Sequence, residues 1–226
     1  MAFASRAGLK LEHALTAFHL CVKGVVAADF GCNIGGFTDC LLQHGAARVY
    51  AIDTGYGVLD YRLRRDGRVV VMERTNAMHV QLPEPVDVVV IDVGWTRQKH
   101  ILPSARRVLR ATAAADGVQR HDEAPRGAEA AGGGRGGNPC HGGGVVVSLV
   151  KPHYEAEPHE LRGGVLREEC LEAVLARVWA DVESAGFVLR QWTVSPVRGS
   201  GGNAEVLALL TPADGASQPR LRRLHA

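Results

Sequence analysis

The feature that most constrains the fold of this chain is a glycine-rich segment at residues 25–40, with the sequence VVAADFGCNIGGFTDC. A short apolar run ends at Asp29, a turn with three glycines follows, and residues with helical spacing begin near Phe37. This order predicts a strand that passes through a tight turn into a helix. In α/β proteins such a turn lies at the carboxyl edge of a parallel sheet, where cofactors bind. The segment therefore predicts an α/β fold with a cofactor site at this turn.

The spacing of the glycines indicates which cofactor the turn would bind. A dinucleotide-binding turn has the pattern Gly-x-Gly-x-x-Gly, in which the second glycine leaves room for a pyrophosphate. Asn33 occupies that second position here, and an acid precedes the first glycine by two residues. This arrangement favours S-adenosylmethionine, a nucleoside that carries an amino-acid tail and no phosphate groups, and a turn with a purely structural role is the alternative. We assign cofactor contacts in this segment to Asp29, Gly31, Asn33, Gly35, Gly36, Phe37 and Thr38.

Composition predicts a globular protein of the cytoplasm. The 226 residues are 46% hydrophobic, which is enough for one sizeable α/β domain, and a net charge of +2 does not by itself indicate binding to nucleic acid. The five cysteines are scattered without metal-ligand spacing, which predicts a reducing compartment and no metal site. The N-terminus lacks an apolar core of signal-peptide length, and no run approaches a membrane span. We therefore expect no membrane contact, and the composition leaves the oligomeric state open.

Four further apolar runs predict parallel strands, at residues 48–53, 68–73, 86–92 and 145–152. Polar residues at two of the strand ends are cofactor candidates. Asp53 follows the glycine turn by roughly the 20 residues at which an acid usually meets a ribose hydroxyl pair, and a loop-capping aspartate is the alternative. Asn76 follows the third strand, and its amide offers a donor and an acceptor suited to an adenine edge.

Three segments have the periodicity of helices, at residues 5–18, at residues 97–115 and within residues 161–186. On the first helix Lys10 lies at the edge of the apolar stripe, so its spacing favours a lysine that snorkels from a buried face to solvent. The apolar residues that should face the core from the second helix are Ile101, Leu102, Val108 and Leu109. For the basic residues on its outer face a solvated surface is favoured over an RNA-binding patch. These residues are Arg97, Lys99, Arg106, Arg107 and Arg110.

The last two predicted strands, residues 187–194 and 204–210, are joined by a glycine-rich turn and should form an antiparallel pair. Together the elements predict a doubly wound, mostly parallel sheet with an antiparallel edge strand. We expect one domain over residues 1–212. Residues 116–144 are rich in glycine with almost nothing to bury, which predicts a flexible insertion, and residues 213–226 are expected to form a basic, mobile tail.

Four charged residues are expected to meet at the carboxyl edge of this sheet. Asp92 and Lys151 terminate parallel strands there, and Glu205 begins an antiparallel strand, so its start falls at the same edge. Lys10 can reach this edge from the first helix. Two lysines and two carboxylates beside a cofactor pocket predict a catalytic site.

Seven segments of the sequence match the pattern of a single family. They are SRAGLKL (5–11), GGFTDCLL (35–42), GAARVYA (45–51), ERTN (73–76), VIDV (90–93), LVKP (149–152) and GNAE (202–205). In these segments the chain resembles the FtsJ-like ribosomal RNA 2′-O-methyltransferases, and specifically their hemolysin A (TlyA-type) branch. The resemblance extends from Ser5 to about Leu210, apart from the insertion.

The resemblance implies a Rossmann-like methyltransferase fold, S-adenosyl-L-methionine as the cofactor, and ribosomal RNA or a ribosomal subunit as the partner. It also implies that Lys10, Asp92, Lys151 and Glu205 form the catalytic tetrad of the family. Within that tetrad we assign Lys151 as the acceptor of the 2′-hydroxyl proton and Lys10 as its electrostatic neighbour. Asp92 and Glu205 are assigned as orienting groups, with Asp92 also near the methionine end of the cofactor.

The sequence departs from the family pattern in several places. Typical members carry a small RNA-binding domain ahead of the methyltransferase, and this sequence begins almost at the catalytic helix, so we expect it to lack that domain. Ala7 stands where a glycine is usual, and Gly94-Trp95 replaces Ser-Phe. A catalytically silent or small-substrate S-adenosylmethionine-binding protein of the hemolysin A type is therefore the alternative. A nicotinamide oxidoreductase is disfavoured by Asn33.

Overall fold

A single large β-sheet dominates the computed structural model, which describes residues 3–94, 96–111, 143–213 and 222–223. Its strands are β1 (Val26–Phe30), β2 (Arg48–Ile52), β3 (Val69–Met72), β4 (Val88–Ile91), β5 (Val145–Val150), β8 (Phe187–Val194), β9 (Val206–Pro212) and β10 (Arg222–Arg223). A separate hairpin consists of β6 (Leu161–Arg162) and β7 (Val165–Leu166). The strand order in the large sheet is β10-β8-β9-β5-β4-β1-β2-β3.

Helices cover both faces of this sheet. They are α1 (Ala7–Ala17), α2 (Gly36–Gln43), α3 (Tyr61–Arg65), α4 (Gln98–Val108), α5 (Pro152–Glu155) and α6 (Leu171–Ser184). One core cluster joins α1, α2 and α3 to one face through residues such as Leu11, Leu41 and Leu63. The other cluster joins α4 and α6 to the opposite face, with Leu102 and Val178 among its members. This arrangement confirms the predicted doubly wound fold.

The central strands are apolar along their whole length because both of their faces are covered. All four residues of β4 are buried, and all six residues of β5 are buried as well. Strands β3, β2, β1, β4 and β5 run parallel to one another. Their carboxyl ends therefore lie at a common edge of the sheet.

The antiparallel part of the sheet lies at one end, as predicted. Strand β9 runs antiparallel to both β5 and β8 and lies between them. Val206, the first residue of β9, is paired with Val150, the last residue of β5. Because the strands run in opposite directions, Glu205 stands at the carboxyl edge of the parallel strands.

The second predicted helix is shorter than the periodicity indicated. Helix α4 ends at Val108, because Leu109 has extended dihedral angles and forms an isolated parallel bridge with Val86. The four apolar residues predicted to face the core from this segment are buried. Residues 112–142, which hold nearly all of the predicted insertion, lie outside the described residues. The same is true of most of the predicted tail, although residues 222–223 pair with β8.

None of the helices among the described residues is long and apolar enough to cross a bilayer. Within the same ranges, no group of three or more His, Cys, Asp or Glu side chains is placed to hold a metal ion.

Candidate active site

Two adjoining cavities lie at the carboxyl edge of the sheet, and residues of the glycine turn line both of them. The first has a volume of about 410 Å³, and the four predicted tetrad residues Lys10, Asp92, Lys151 and Glu205 all line it. The second has a volume of about 260 Å³ and is lined in part by Asp53. The walls shared by the two cavities are Gly31, Asn33, Asp92 and Gly94.

Lys151 and Asp92 come together because neighbouring parallel strands end side by side. Asp92 directly follows β4 and Lys151 directly follows β5, and these strands are paired up to Ile91 and Ser148. The Lys151 Nζ atom lies 2.7 Å from Asp92 Oδ1. The two side chains are 16% and 19% exposed, so this ion pair borders on solvent.

Lys10 and Glu205 form a second and more enclosed ion pair. Lys10 Nζ donates to Glu205 Oε2, and the two side chains are only 11% and 3% exposed. Gly199 makes room for this carboxylate, since a Cβ atom at that position would collide with Glu205 Oε1. The interpretation of Lys10 as a snorkelling surface lysine is therefore wrong. Its helical spacing carried no information about a partner 195 residues further along the chain.

Asp29 is a buried residue at the end of β1. Unlike Asp92 and Glu205, its carboxyl group is not paired with a lysine among the described residues. Its Oδ2 atom accepts a hydrogen bond of 2.7 Å from the Thr38 hydroxyl, whereas Oδ1 meets no donor among the described residues. Desolvation by burial, with smaller contributions from Asp92 and Asp53, raises the pKa of Asp29 to about 7. Asp29 also lines the first cavity. An unpartnered buried oxygen at a cavity wall fits a ligand group that carries positive charge.

The glycines of the turn leave space for atoms of neighbouring segments, which a Cβ atom would displace. Gly31 has a φ of +85°, and a Cβ atom there would lie 2.7 Å from the Asp92 carbonyl oxygen. Gly35 has a φ of +101°, and its Cβ would collide with Leu63 of α3. A Cβ on Gly36 would collide with the Ser5 hydroxyl. Of these three predicted cofactor contacts, only Gly31 is among the residues that line the cavities.

Phe37 and Thr38, at the start of α2, have different positions. Phe37 lines the first cavity. Thr38 is buried behind the cavity wall and acts on it through its hydrogen bond to Asp29. The threonine therefore holds a cavity residue in place.

Asp53 organises the loop that follows β2. Its Oδ2 atom accepts from the Asn33 backbone N–H at 2.9 Å, and its Oδ1 atom accepts from the Gly55 N–H at 2.7 Å. Asn33 has a φ of +48°, a left-handed conformation that asparagine tolerates better than most residues. The Asn76 Oδ1 atom accepts a hydrogen bond from the Met78 N–H. Asn76 is not among the residues that line the two cavities, whereas the neighbouring Thr75 lines the second.

Two arginines that the sequence analysis did not single out also line the first cavity. Arg6 lies four residues before Lys10, a spacing that places side chains on the same side of a helix, and this is the signal that could have identified it. Arg198 also lines this cavity and donates a 3.0 Å hydrogen bond to the Gly202 carbonyl. Two of the basic residues predicted for the outer face of this helix have partners within the protein. Arg107 of α4 donates to the Met78 carbonyl, and Arg110, just beyond the end of α4, pairs with Asp87.

Comparison with known proteins identifies the family. Residues 3–211 match the family described as FtsJ-like methyltransferase. This chain belongs to that family. The matched range includes strands β1 to β8, nearly all of β9, the six helices and the four residues predicted to form the tetrad. It confirms the methyltransferase class predicted from the sequence motifs. It also confirms the predicted cofactor, S-adenosyl-L-methionine.

Several relatives of this FtsJ-like methyltransferase are similar along most of the chain. The 16S/23S rRNA (cytidine-2′-O)-methyltransferase TlyA of Mycobacterium tuberculosis is 36% identical over 223 residues, which cover 95% of this chain and 71% of TlyA. Hemolysin A of Brachyspira hyodysenteriae is 34% identical over 212 residues, covering 91% of this chain and 75% of that protein. A solved structure of a protein described as a hemolysin, from Streptococcus thermophilus, superimposes with a TM-score of 0.78 at 33% identity. The superposition covers 95% of this chain and 68% of the Streptococcus thermophilus chain.

Proposed function

We propose that this FtsJ-like methyltransferase transfers a methyl group from S-adenosyl-L-methionine to a ribose 2′-hydroxyl of ribosomal RNA. The observation that carries the proposal is the convergence of Lys10, Asp92, Lys151 and Glu205 on one cavity, as two lysine–carboxylate pairs. The substrate class is supported by the relative TlyA, which is named as an rRNA 2′-O-methyltransferase.

The residues around the glycine turn fit the cofactor. S-adenosyl-L-methionine supplies a methyl group already activated on a positively charged sulfonium. Asp29 Oδ1, buried and without a donor among the described residues, would face the charged methionine end of the molecule. Asp53, Thr54 and Thr75 give the second cavity the polar groups that a nucleoside requires.

Lys151 is the residue we assign to remove the proton of the 2′-hydroxyl. A lysine accepts a proton only in its neutral form, and in that form the Nζ atom of Lys151 would take the 2′-hydroxyl proton as the bond from the methyl carbon to sulfur breaks and the bond to the ribose oxygen forms. Asp92 holds this amine at 2.7 Å and is also a wall of both cavities, so it connects the cofactor side to the acceptor side.

Lys10 and Glu205 orient the acceptor side of the same cavity. Their pairing gives Lys10 a fixed position in an enclosed site that also contains Lys151 and Asp92. Holding the reacting groups in place supplies much of the acceleration in a reaction whose methyl donor is already activated.

The experiment that tests this function uses ribosomal subunits lacking the modification and methyl-labelled S-adenosyl-L-methionine. We expect transfer of label to the RNA, and resistance of the modified nucleotide to alkaline cleavage, because a methylated 2′-oxygen can no longer attack its phosphate. Label on a base would contradict the ribose assignment. Cofactor binding in calorimetry without transfer to any subunit would favour the silent or small-substrate alternative.

A further inference from the structure

Three buried polar residues are connected by hydrogen bonds between strand β5 and the helices that follow β4 and β5. Ser148 of β5, Gln98 of α4 and Glu155 of α5 are 0%, 3% and 6% exposed. The Ser148 hydroxyl donates to Gln98 Oε1 at 2.7 Å, and the Gln98 backbone N–H donates to Glu155 Oε1 at 2.7 Å. None of the three is among the residues described above as cavity walls. Burying a polar group costs free energy unless its hydrogen bonds are made. Three connected buried polar residues therefore need a structural or functional explanation.

Glu155 caps helix α4 from a different element. Gln98 is the first residue of α4, and its N–H would have no partner within the helix. The preceding residue, Arg97, makes no side-chain capping bond. The Glu155 carboxylate takes that place, where the helix dipole favours a negative charge. Burial raises the pKa of Glu155 above its ordinary value, and its hydrogen bond to the Gln98 N–H opposes that shift.

The capped and capping elements are the ones that follow the Asp92–Lys151 pair. Helix α4 begins six residues after Asp92, and α5 begins immediately after Lys151. The ladder between β4 and β5 ends at Ile91 and Ser148, so it does not itself fix the segments beyond the strands. The hydrogen bonds through Gln98 continue the connection from Ser148 into both segments.

We propose that Ser148, Gln98 and Glu155 are positioning residues that hold the segment after β4 against the segment after β5, and thereby fix the geometry of the Asp92–Lys151 pair. This inference rests on the proposed function for its effect on catalysis, because it assumes that the pair performs the proton transfer. Its effect on the pair itself does not depend on that assumption.

The test compares Glu155→Ala with the conservative variant Glu155→Gln in the 226-residue protein. Alanine removes the cap, whereas glutamine keeps an oxygen that can accept from the Gln98 N–H. We expect Glu155→Ala to lower kcat by about 10²-fold, the effect of a displacement of about 1 Å at a reacting group, with cofactor affinity in calorimetry little changed. Glu155→Gln should retain most of the activity.

A second readout follows Lys151 without RNA or turnover. Limited acetylation, quantified by mass spectrometry against the exposed Lys23, should label Lys151 several-fold faster in Glu155→Ala, because a loosened ion pair leaves the amine free to react. The matched control is Glu160→Ala. Glu160 is also a buried glutamate, but it bonds to Arg177 and to the Glu157 N–H, so its loss should leave Lys151 labelling unchanged.

The outcomes separate the two proposals. If the wild-type protein methylates no RNA, the labelling experiment still decides whether the three residues position the pair. If Glu155→Ala does not fold, Ser148→Ala, which removes only the hydroxyl bonded to Gln98, provides the same comparison with a smaller expected effect. A folded Glu155→Ala or Ser148→Ala protein with wild-type kcat and wild-type Lys151 labelling would overturn the inference.

Discussion

The two lysine–carboxylate pairs of the cavity use the same chemistry in different surroundings. Lys10 and Glu205 are almost fully enclosed and join the first helix to the start of β9. Lys151 and Asp92 border on solvent and extend from neighbouring parallel strands. The enclosed pair is therefore a tertiary connection between distant parts of the chain, whereas the more open pair follows directly from strand order.

Because the two pairs differ in burial, we expect substitutions in them to affect stability and catalysis to different extents. Removing one member of a buried pair leaves an uncompensated charge in a medium that solvates it poorly, which destabilises the fold. The Lys151–Asp92 pair is less buried, so water can replace part of the lost interaction. We therefore expect substitutions in the Lys10–Glu205 pair to affect folding and activity together, and substitutions of Lys151 to affect activity more than folding.

The largest expected effect is on turnover by Lys151→Ala. Loss of a general base should lower the rate by about 10²–10⁴, while cofactor affinity and unfolding free energy remain close to those of the wild type. Single-turnover methyl transfer and calorimetry measure the two quantities. Lys151→Arg is the matched variant and should not restore activity, because a guanidinium remains protonated. Undiminished transfer by Lys151→Ala would refute the assignment of the base.

The second effect concerns folding. Glu205→Ala should lower the unfolding free energy by about 3–5 kcal/mol, because it leaves the Lys10 ammonium buried without its counter-ion. Asp92→Ala is the matched change in the other pair and should destabilise the protein clearly less. Denaturant unfolding without cofactor measures both. Equal losses in the two variants would show that burial does not distinguish the pairs.

The sequence predicted the open pair more securely than the enclosed one, and topology explains why. Parallel strands place their carboxyl ends at one edge, so Asp92 and Lys151 could be located from strand order alone. The antiparallel direction of the last strand located Glu205 in the same way. The environment of Lys10 could not be predicted from its helix, because the partner that encloses it comes from the other end of the chain.

The glycine turn shows a second limit of sequence reasoning. Its pattern correctly indicated a sharp turn beside the site, but it did not indicate which atoms need the space that each glycine leaves. At Gly35 that space is taken by Leu63, and at Gly36 by the Ser5 hydroxyl. These neighbours belong to α3 and to the segment before α1, and their approach depends on packing that local sequence does not specify.

The third expected effect concerns Asp29, a buried carboxyl that, unlike Glu205, is not paired with a lysine among the described residues. The pKa of Asp29 is raised from 3.8 to about 7 in the folded protein, chiefly by desolvation. Between these values the folded state binds a proton that the unfolded state has released, so stability falls as the pH rises toward 7 and then levels off. Relative to Asp29→Asn, the wild type should lose about 2–3 kcal/mol of unfolding free energy between pH 5 and pH 8.

Denaturant unfolding of both proteins across this pH range, without cofactor, measures the difference. Asparagine keeps an oxygen that can accept from Thr38, so the hydrogen bond at that end is retained in the comparison. Parallel pH profiles for the two proteins would show that Asp29 titrates normally in the folded state.

The smallest effect is expected at an ion pair far from the cavity. Arg110 lies 2.7 Å from Asp87 at the surface, and its side chain is half exposed. Because water and salt screen such a pair, Arg110→Ala should change the unfolding free energy by only about 0.2–1 kcal/mol and leave methyl transfer unchanged. Unfolding in low and high salt provides the check, since the small difference should shrink as salt increases. A loss as large as that of Glu205→Ala would mean that exposure does not set the strength of these ion pairs, and the contrast between the two pairs of the cavity would need another explanation.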